Sequence, residues 1–508
     1  MRGNANSSGE FRRKEKGNVF GEGSKTPVVI SILIKNSSIK KDNEIFYHDI
    51  GDYLSKTQKL KIISKFKSIK NIPWVKITPS ERGDWIKLGN DEFENFLIIG
   101  DKNKNNKIKI FNKHSAGIKS NRDIWCYNFS KKKLENNMNK MINFYNNQLK
   151  DFSVKFKNKK TSLELINKFV NNDKSKISWS QDLKNKFLSR KEGNFKEGEI
   201  RSSMYRPFQE QFLYFSRHFN NSVHLMPGIF PEKDSNNYIL CITGVGGNID
   251  FSCFISNKIP DYHLQNNGQY FPLYFYDENF SKDKYQVDLF KNDNSSKYKK
   301  IDNISDEVTK IFKTKYPKIV NKINSQNIFY YVYGILSSKE YLNRFNNNLR
   351  RSLPKIPFAK DFISFMEAGK ELAKINLNYE LIKLFPLKIE KPNKLDIENF
   401  KIKKMTYGKK NKEIDKSIIN INDKIKISEI PDEVKDYIIS GKSALDWILD
   451  MYQFYEDTKD SKLINDPNDL IIENNDPEYI IKLIQRIVTI SVDSMKIKNS
   501  LPKIDEIN

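Results

Sequence analysis

Arg201-Ser202-Ser203-Met204-Tyr205-Arg206-Pro207-Phe208, then Phe212-Leu213-Tyr214-Phe215 and Arg217, opens a run of apolar and aromatic segments that continues to Tyr276 and is broken by Pro and Gly. Such alternation predicts β-strands and hairpins. Beyond a charged, low-complexity loop at 282–303, the spacing of apolar residues predicts helices over 307–312, 328–347, 362–375, 434–455 and 477–499. Asp432 and Asp476 are candidate caps for the last two. A short hairpin is expected over 417–421 and 424–427, around Asn422-Asp423. Upstream, the pattern from 152 to 199 is helical and polar, helices are expected near 56–66 and 134–149, and Trp74 and Trp85 mark a turn region. The fold class is therefore α+β.

The first ten residues, Met1 to Glu10, are polar and Gly-bearing and lead to Thr26-Pro27-Val28-Val29-Ile30-Ser31-Ile32-Leu33-Ile34-Lys35. A segment apolar on both faces reads as an inner sheet strand, which needs neighbours that are not evident upstream. The expectation is the tail of an α/β domain whose body is encoded elsewhere or lost. An unpaired edge over 28–34 would make the isolated chain prone to aggregate.

The chain has 508 residues and a formal charge of +25, from 88 Lys+Arg against 63 Asp+Glu. Two to four domains fit that length. The charge suits a polyanionic partner such as nucleic acid, but only 13 of the basic residues are Arg, and Lys, Asn and Ile crowd the chain as AT-rich coding would produce. A solvated coat of Lys explains part of the excess equally well. Arg residues retained against that bias are better informants, because Arg forks onto phosphate and guanine as Lys cannot. They cluster at Arg12 and Arg13, at Arg201, Arg206 and Arg217, and at Arg344, Arg350 and Arg351, where a buried salt-bridge role competes with nucleic-acid contact. Cys126, Cys241 and Cys253 lack CxxC spacing, which argues against a disulfide framework or zinc site and suits a reducing cytoplasm. No stretch of 18 apolar residues occurs.

Motifs for catalysis are weak. Gly244-Val245-Gly246-Gly247 is followed by the alternating Ile249, Phe251, Cys253 and Ile255, which predicts a hairpin turn and no helix N-terminus for a phosphate. Gly441-Lys442-Ser443 ends like a P-loop, but Asp436 stands where the earlier Gly belongs, and the tripeptide lies in a helical pattern. Asn465-Asp466-Pro467-Asn468 approaches the Asn/Asp-Pro-Pro-aromatic motif of amino-methyltransferases without its second Pro or its aromatic; a helix-capping turn is the simpler reading. His218 and His224 lack a third metal ligand nearby. Aromatics interleaved with Arg over 201–217 suit either a surface that meets DNA or a sheet core with a charged rim.

These pieces resemble the C-terminal part of the Type ISP restriction-modification enzymes, single chains ordered as nuclease, helicase-like translocase, coupler, adenine-N6 DNA methyltransferase and target-recognition domain. The resemblance spans essentially the whole chain. It includes Arg2-Gly3-Asn4, Ser8-Gly9-Glu10, Gly17-Asn18-Val19-Phe20, Tyr47-His48-Asp49-Ile50-Gly51-Asp52-Tyr53-Leu54, Gly83-Asp84-Trp85, Asn121-Arg122-Asp123-Ile124-Trp125 and Tyr127-Asn128-Phe129. It continues through Tyr205-Arg206-Pro207-Phe208, Ile259-Pro260-Asp261-Tyr262-His263, Phe271-Pro272-Leu273-Tyr274, Leu353-Pro354-Lys355-Ile356-Pro357, Glu367-Ala368-Gly369, Leu377-Asn378-Tyr379-Glu380, Gly441-Lys442-Ser443-Ala444-Leu445-Asp446-Trp447 and Asn465-Asp466-Pro467-Asn468-Asp469. One departure stands out: after Phe208 the family usually has an Asp and basic residues, whereas this chain has Gln209-Glu210-Gln211. Altered specificity and drift both fit.

The resemblance implies four segments: the last methyltransferase strands over 1–40, a connector over 41–150, the target-recognition domain over 151–385, and a helical C-terminal specificity region over 386–508. It implies recognition of double-stranded DNA that directs adenine-N6 methylation and cleavage by catalytic domains absent from this chain. No catalytic residue is expected here. S-adenosylmethionine, and ATP with Mg, would bind the missing domains, and a separate cytoplasmic chain would carry the methyltransferase body. The alternatives are an inactive remnant of a frameshifted gene and a self-sufficient adenine methyltransferase. Arg201, Arg206, Arg217, Arg122 and Lys119 are the candidate DNA contacts, and Asn4 and Ser7 the candidates beside the methyltransferase pocket.

Overall fold

The computed structural model describes residues 19–20, 28–35, 44–51, 53–79, 85, 89–101, 108–157, 159–247, 249–277 and 298–506. Its architecture is α+β, with two apolar cores built on either side of one small sheet. That sheet has three antiparallel strands ordered Gln269–Pro272, Ile239–Ile242, Cys253–Ser256. Successive side chains on a strand face opposite ways. Accordingly Ile239, Cys241, Phe254 and Tyr270 enter one core, while Leu240, Ile242, Cys253, Ile255 and Phe271 enter the other. A strand covered on both faces carries a continuous apolar run, which is why Ile239-Leu240-Cys241-Ile242 shows no polar alternation.

The first core joins segments far apart in sequence. It contains a four-stranded sheet ordered Tyr127–Asn128, Gln209–Tyr214, Ile200–Arg206, Ile259–Pro260, whose last pair is parallel. Helix Lys131–Lys155 packs on it through Leu134, Met138, Met141, Tyr145 and Phe152. A second four-stranded sheet, Lys388–Glu390, Lys426–Ser428, Glu413–Asn420, Thr406–Lys410, and the helices Ala444–Met451 and Tyr479–Ser500 complete it. The other core is mainly helical: Asp306–Lys315, Ser325–Ser337, Lys339–Leu349 and Phe362–Leu377. Helices Ser325–Ser337 and Phe362–Leu377 touch backbone to backbone, because a Cβ on Gly334 would lie 2.0 Å from the Phe365 carbonyl oxygen and one on Gly369 1.9 Å from that of Tyr330.

Several expected elements are confirmed. Helix Lys56–Phe66 carries a Ser55/Gln58 capping box, and the glycines of 244–247 lie in the connection of the antiparallel pair Ile239–Ile242 and Cys253–Ser256. Glu413–Asn420 pairs with Lys426–Ser428 around a turn in which Asn422 accepts from the amides of Lys424 and Ile425. Asp466 accepts from the Asn468 amide in a turn that leads into helix Asn468–Glu473, whose N-cap is Pro467 without a side-chain cap, so the expected capping turn is present only as a turn.

Others differ. The helix expected over 328–347 is two, because Ser338 takes extended backbone (ψ 126°) and its hydroxyl caps the second through the Tyr341 amide. The helix expected over 434–455 shrinks to Ala444–Met451. Ahead of it Ile438–Ile439 and Lys442–Ser443 pair through Ser440 and Gly441, both left-handed (φ 49° and 83°), and that backbone stops a helix. Thus Gly441-Lys442-Ser443 is a hairpin turn that ends in the helix N-cap Ser443. Asp476 accepts from the Glu478 amide but stands two residues ahead of Glu478, the N-cap of Tyr479–Ser500, and does not cap that helix. Of the strand expected over 26–35, residues 28–35 are described and form no strand; Leu33 and Ile34 are 88% and 86% exposed. A strand needs a partner ladder, and none of the described strands pairs with this segment.

Candidate nucleic-acid interface

Strand Ile200–Arg206 ends at Tyr205-Arg206, and the turn to Gln209–Tyr214 is made by Pro207 and a left-handed Phe208 (φ 58°). Phe208 is buried, edge-on to Phe254 and Tyr379, which anchors the turn in the core. This geometry directs Arg206 at Asp261 on the neighbouring chain segment: Nη1 to Oδ1 is 2.6 Å, with side-chain exposures of 15% and 2%. The guanidinium also lies 4.0 Å from the Tyr205 ring centroid. Tyr127 donates its hydroxyl to the other Asp261 oxygen at 3.2 Å, the His263 amide donates to Oδ1 at 2.8 Å, and the Tyr270 hydroxyl donates to the Asp261 carbonyl. Tyr205 in turn donates to Asp123 at 3.0 Å. Burial pushes the Asp261 carboxyl above its ordinary range, against the opposing pull of Arg206.

The other sequence candidates are placed as follows. Arg122 is buried and donates from Nε to the Ser178 carbonyl at 3.0 Å, from Nη1 to the Phe219 carbonyl, and from Nη2 to Ser180 Oγ at 2.7 Å. Arg201 is buried and donates to the carbonyls of Phe230, Pro231 and Glu232. Burial depresses the pKa of both guanidinium groups. Arg122, Arg201 and Arg206 are thus braces between loops, with their donors directed inward. Arg217 and Lys119 are exposed. Among the described residues the Arg217 guanidinium has no ion-pair partner, and Lys119 Nζ lies 5.7 Å from the Tyr262 ring centroid. Asn4 and Ser7 lie outside the described residues.

Above the Arg206–Asp261 pair three loops meet. Lys119 and Ser222 exchange both backbone hydrogen bonds, Ile118 and Tyr262 join the first loop to the third, and the Leu225 amide donates to Ser115 Oγ. Gly117 is required here, since a Cβ would lie 2.4 Å from the Asp261 carbonyl oxygen. The loops present Lys119, Asn121, His224, Leu225, Tyr262 and His263 at the surface, with Asn121 and His224 in left-handed backbone (φ 56° and 45°). Tyr262 and His263 had no individual signal in the sequence beyond the motif Ile259 to His263, and His224 was weighed only as a metal ligand with His218.

With this geometry in view, comparison with known proteins gives a consistent answer. Solved structures similar to the chain include a nuclease-deletion mutant of the Type ISP restriction-modification enzyme LlaGI in complex with a DNA substrate mimic, at 32% identity and TM-score 0.81, covering 100% of this chain and 43% of that one. The ATP-dependent Type ISP enzyme LlaBIII bound to DNA matches at 28% identity and TM-score 0.81, over 100% of this chain and 30% of the other. A DrdV–DNA complex shares the fold at 24% identity and TM-score 0.77, over 99% and 47%. Comparison with curated protein sequences gave no match. The chain spans less than half the length of each of these structures. Its fold is that of restriction-modification enzymes. More narrowly, residues 109–483 match the Type ISP C-terminal specificity domain, and the chain belongs to that family.

Proposed function

We propose that this chain is the sequence-specific DNA-recognition portion of a Type ISP restriction-modification system, and that it directs adenine-N6 methylation and cleavage by catalytic domains outside these residues. The observation that carries the reading is the match of the whole chain to LlaGI and LlaBIII, both described with DNA or a DNA mimic. Exposed Lys119 and Arg217 supply cations for phosphate contacts that set register, and the loops between them supply side chains for base edges. Double-stranded DNA is the partner, and a separate chain carrying the methyltransferase body is the second.

The glycine-bearing segments here do not fit a nucleotide. Those at 244–247 connect two antiparallel strands, and Lys442 is held by Asp450 at 2.6 Å beside the Trp447 ring. No group of three or more His, Cys, Asp or Glu that could hold a metal occurs among the described residues. In this reading S-adenosylmethionine, ATP and Mg belong to the catalytic domains, and no step here runs through them. Among the described residues no helix is long and apolar enough to cross a membrane.

The test is selection from a pool of random duplexes with the full chain. Enrichment of one defined site supports the reading, and retention without enrichment refutes sequence recognition. Adding a family methyltransferase body to the enriched duplex should then place methyl groups on adenine at that site only when both proteins are present.

A further inference from the structure

Tyr262 sits where the three loops meet, yet it belongs to neither apolar core. Its backbone is fixed by the amide hydrogen bond to the Ile118 carbonyl and by the neighbouring Asp261, which Arg206 and Tyr127 hold. Its hydroxyl makes no hydrogen bond among the described residues. A rigid aromatic body with an open polar tip serves recognition better than packing.

The neighbours of the ring sharpen the point. The His224 ring is nearly parallel to that of Tyr262, 23° between planes, with centroids 6.5 Å apart. That separation is at the outer edge of direct ring stacking and close to twice the ~3.4 Å rise between successive bases of a strand. His263 meets Tyr262 edge-on at 5.0 Å, and Lys119 Nζ stands 5.7 Å from its centroid. His224 is held at this place in left-handed backbone. The patch therefore offers two rings in near-parallel planes with centroids 6.5 Å apart, a hydroxyl for a base edge, and a cation within reach of a phosphate. A fully paired duplex shows base edges in its grooves and keeps base faces stacked; only an unpaired base offers the face that such rings bind.

We propose that Tyr262, framed by His224 and with Lys119 beside it, is a stacking site for an unpaired base of the bound DNA, with Lys119 meeting an adjoining phosphate. This rests on the reading of the chain as a DNA-recognition portion and adds a preference that groove contact alone does not predict.

The experiment uses the full chain with two duplexes of the enriched sequence, one fully paired and one carrying a single extrahelical 2-aminopurine. Anisotropy reports affinity for both, and 2-aminopurine fluorescence reports stacking. The chain should bind the extrahelical duplex more tightly, by on the order of tenfold, and quench its fluorescence. Tyr262→Ala should abolish the preference for the extrahelical duplex and the quenching, and Tyr262→Phe should restore both. His224→Asn, which suits left-handed backbone, should weaken the quenching and so tests the slot even if Tyr262→Ala does not fold. Equal affinity for the two duplexes, or quenching unchanged in both Tyr262→Ala and His224→Asn, overturns this inference and leaves DNA recognition standing. Binding to neither duplex overturns both.

Discussion

Replacing Arg206 by Ala tests whether this residue braces the fold or meets DNA, because the two roles predict different losses. Asp261 is 2% exposed and receives Arg206 at 2.6 Å. Removing one partner of a buried pair costs about 3–5 kcal/mol, since it strands the other charge. Two donors remain on the carboxylate, the Tyr127 hydroxyl and the His263 amide, which places the expected loss near the lower end, about 3 kcal/mol. Loss of the cation over the Tyr205 ring adds roughly 0.5–2 kcal/mol. Asp261→Asn alone removes the charge but leaves Arg206 unmatched, and should also destabilise. The double variant Arg206→Ala with Asp261→Asn leaves no charge unpaired and should recover part of the loss. Urea unfolding of the four proteins gives the coupling energy directly. A loss below about 1 kcal/mol in Arg206→Ala, or strict additivity in the cycle, would refute the brace. A direct DNA contact would instead show as an affinity loss of roughly 1–3 kcal/mol in a protein of unchanged stability.

Three further outcomes follow from the same structure. Lys119→Gln and Arg217→Gln should each lower duplex affinity and reduce the slope of log K against log salt by about 0.9, with unfolding midpoints unchanged; an unaltered slope removes that residue from the interface. Gly369→Ala should destabilise by about 3 kcal/mol or more, because both atoms forced together, the new Cβ and the Tyr330 carbonyl oxygen, belong to helix backbones; denaturant unfolding reads the loss. His218 is held to a pKa of about 4 by burial and by the nearby Lys186, and among the described residues its Nε2 has no hydrogen-bond partner. The unfolded chain thus binds a proton that the folded one refuses between pH 6.5 and 4, so stability is full above that window and falls as pH drops through it. His218→Phe should flatten the fall in a pH series of thermal unfolding, and an unchanged series would show that His218 takes up its proton equally in the folded and unfolded chain.

The fold class and many of the elements were legible because they rest on local patterns: the capping box at Ser55, the Asn422 turn, the alternation through 200–276. What misled was also local. Residues 328–347 and 434–455 keep helical periodicity across breaks made by single backbone conformations, at Ser338 and at Ser440-Gly441. The interface was legible only in part, because Lys119, His224 and Tyr262 lie more than a hundred residues apart from first to last. Their meeting depends on ladders such as Lys119 with Ser222 and Ile118 with Asp261, and no periodicity announces a single bridge.

The scarcity of Arg carries a different message from the one first drawn. A drift towards Lys replaces Arg wherever a point charge suffices, and phosphate contact often accepts a point charge. It cannot replace Arg where several directional donors reach separate acceptors from one buried site. Arg122 serves Ser178, Ser180 and Phe219 at once, and Arg201 serves three consecutive carbonyls. Both sites are of the second kind, whereas Lys119 is exposed. At Arg122 and Arg201, then, Arg marks geometry that Lys cannot supply. The consequence is asymmetric substitution. Arg122→Lys reaches one acceptor and leaves two buried, each worth roughly 1.5–3 kcal/mol as a charged hydrogen bond, so a loss of at least about 3 kcal/mol is expected in urea unfolding. Lys119→Arg should leave both stability and duplex affinity close to the parent. If Arg122→Lys proves neutral, the inward donors are dispensable, and the retention of Arg at that position needs a partner outside the chain.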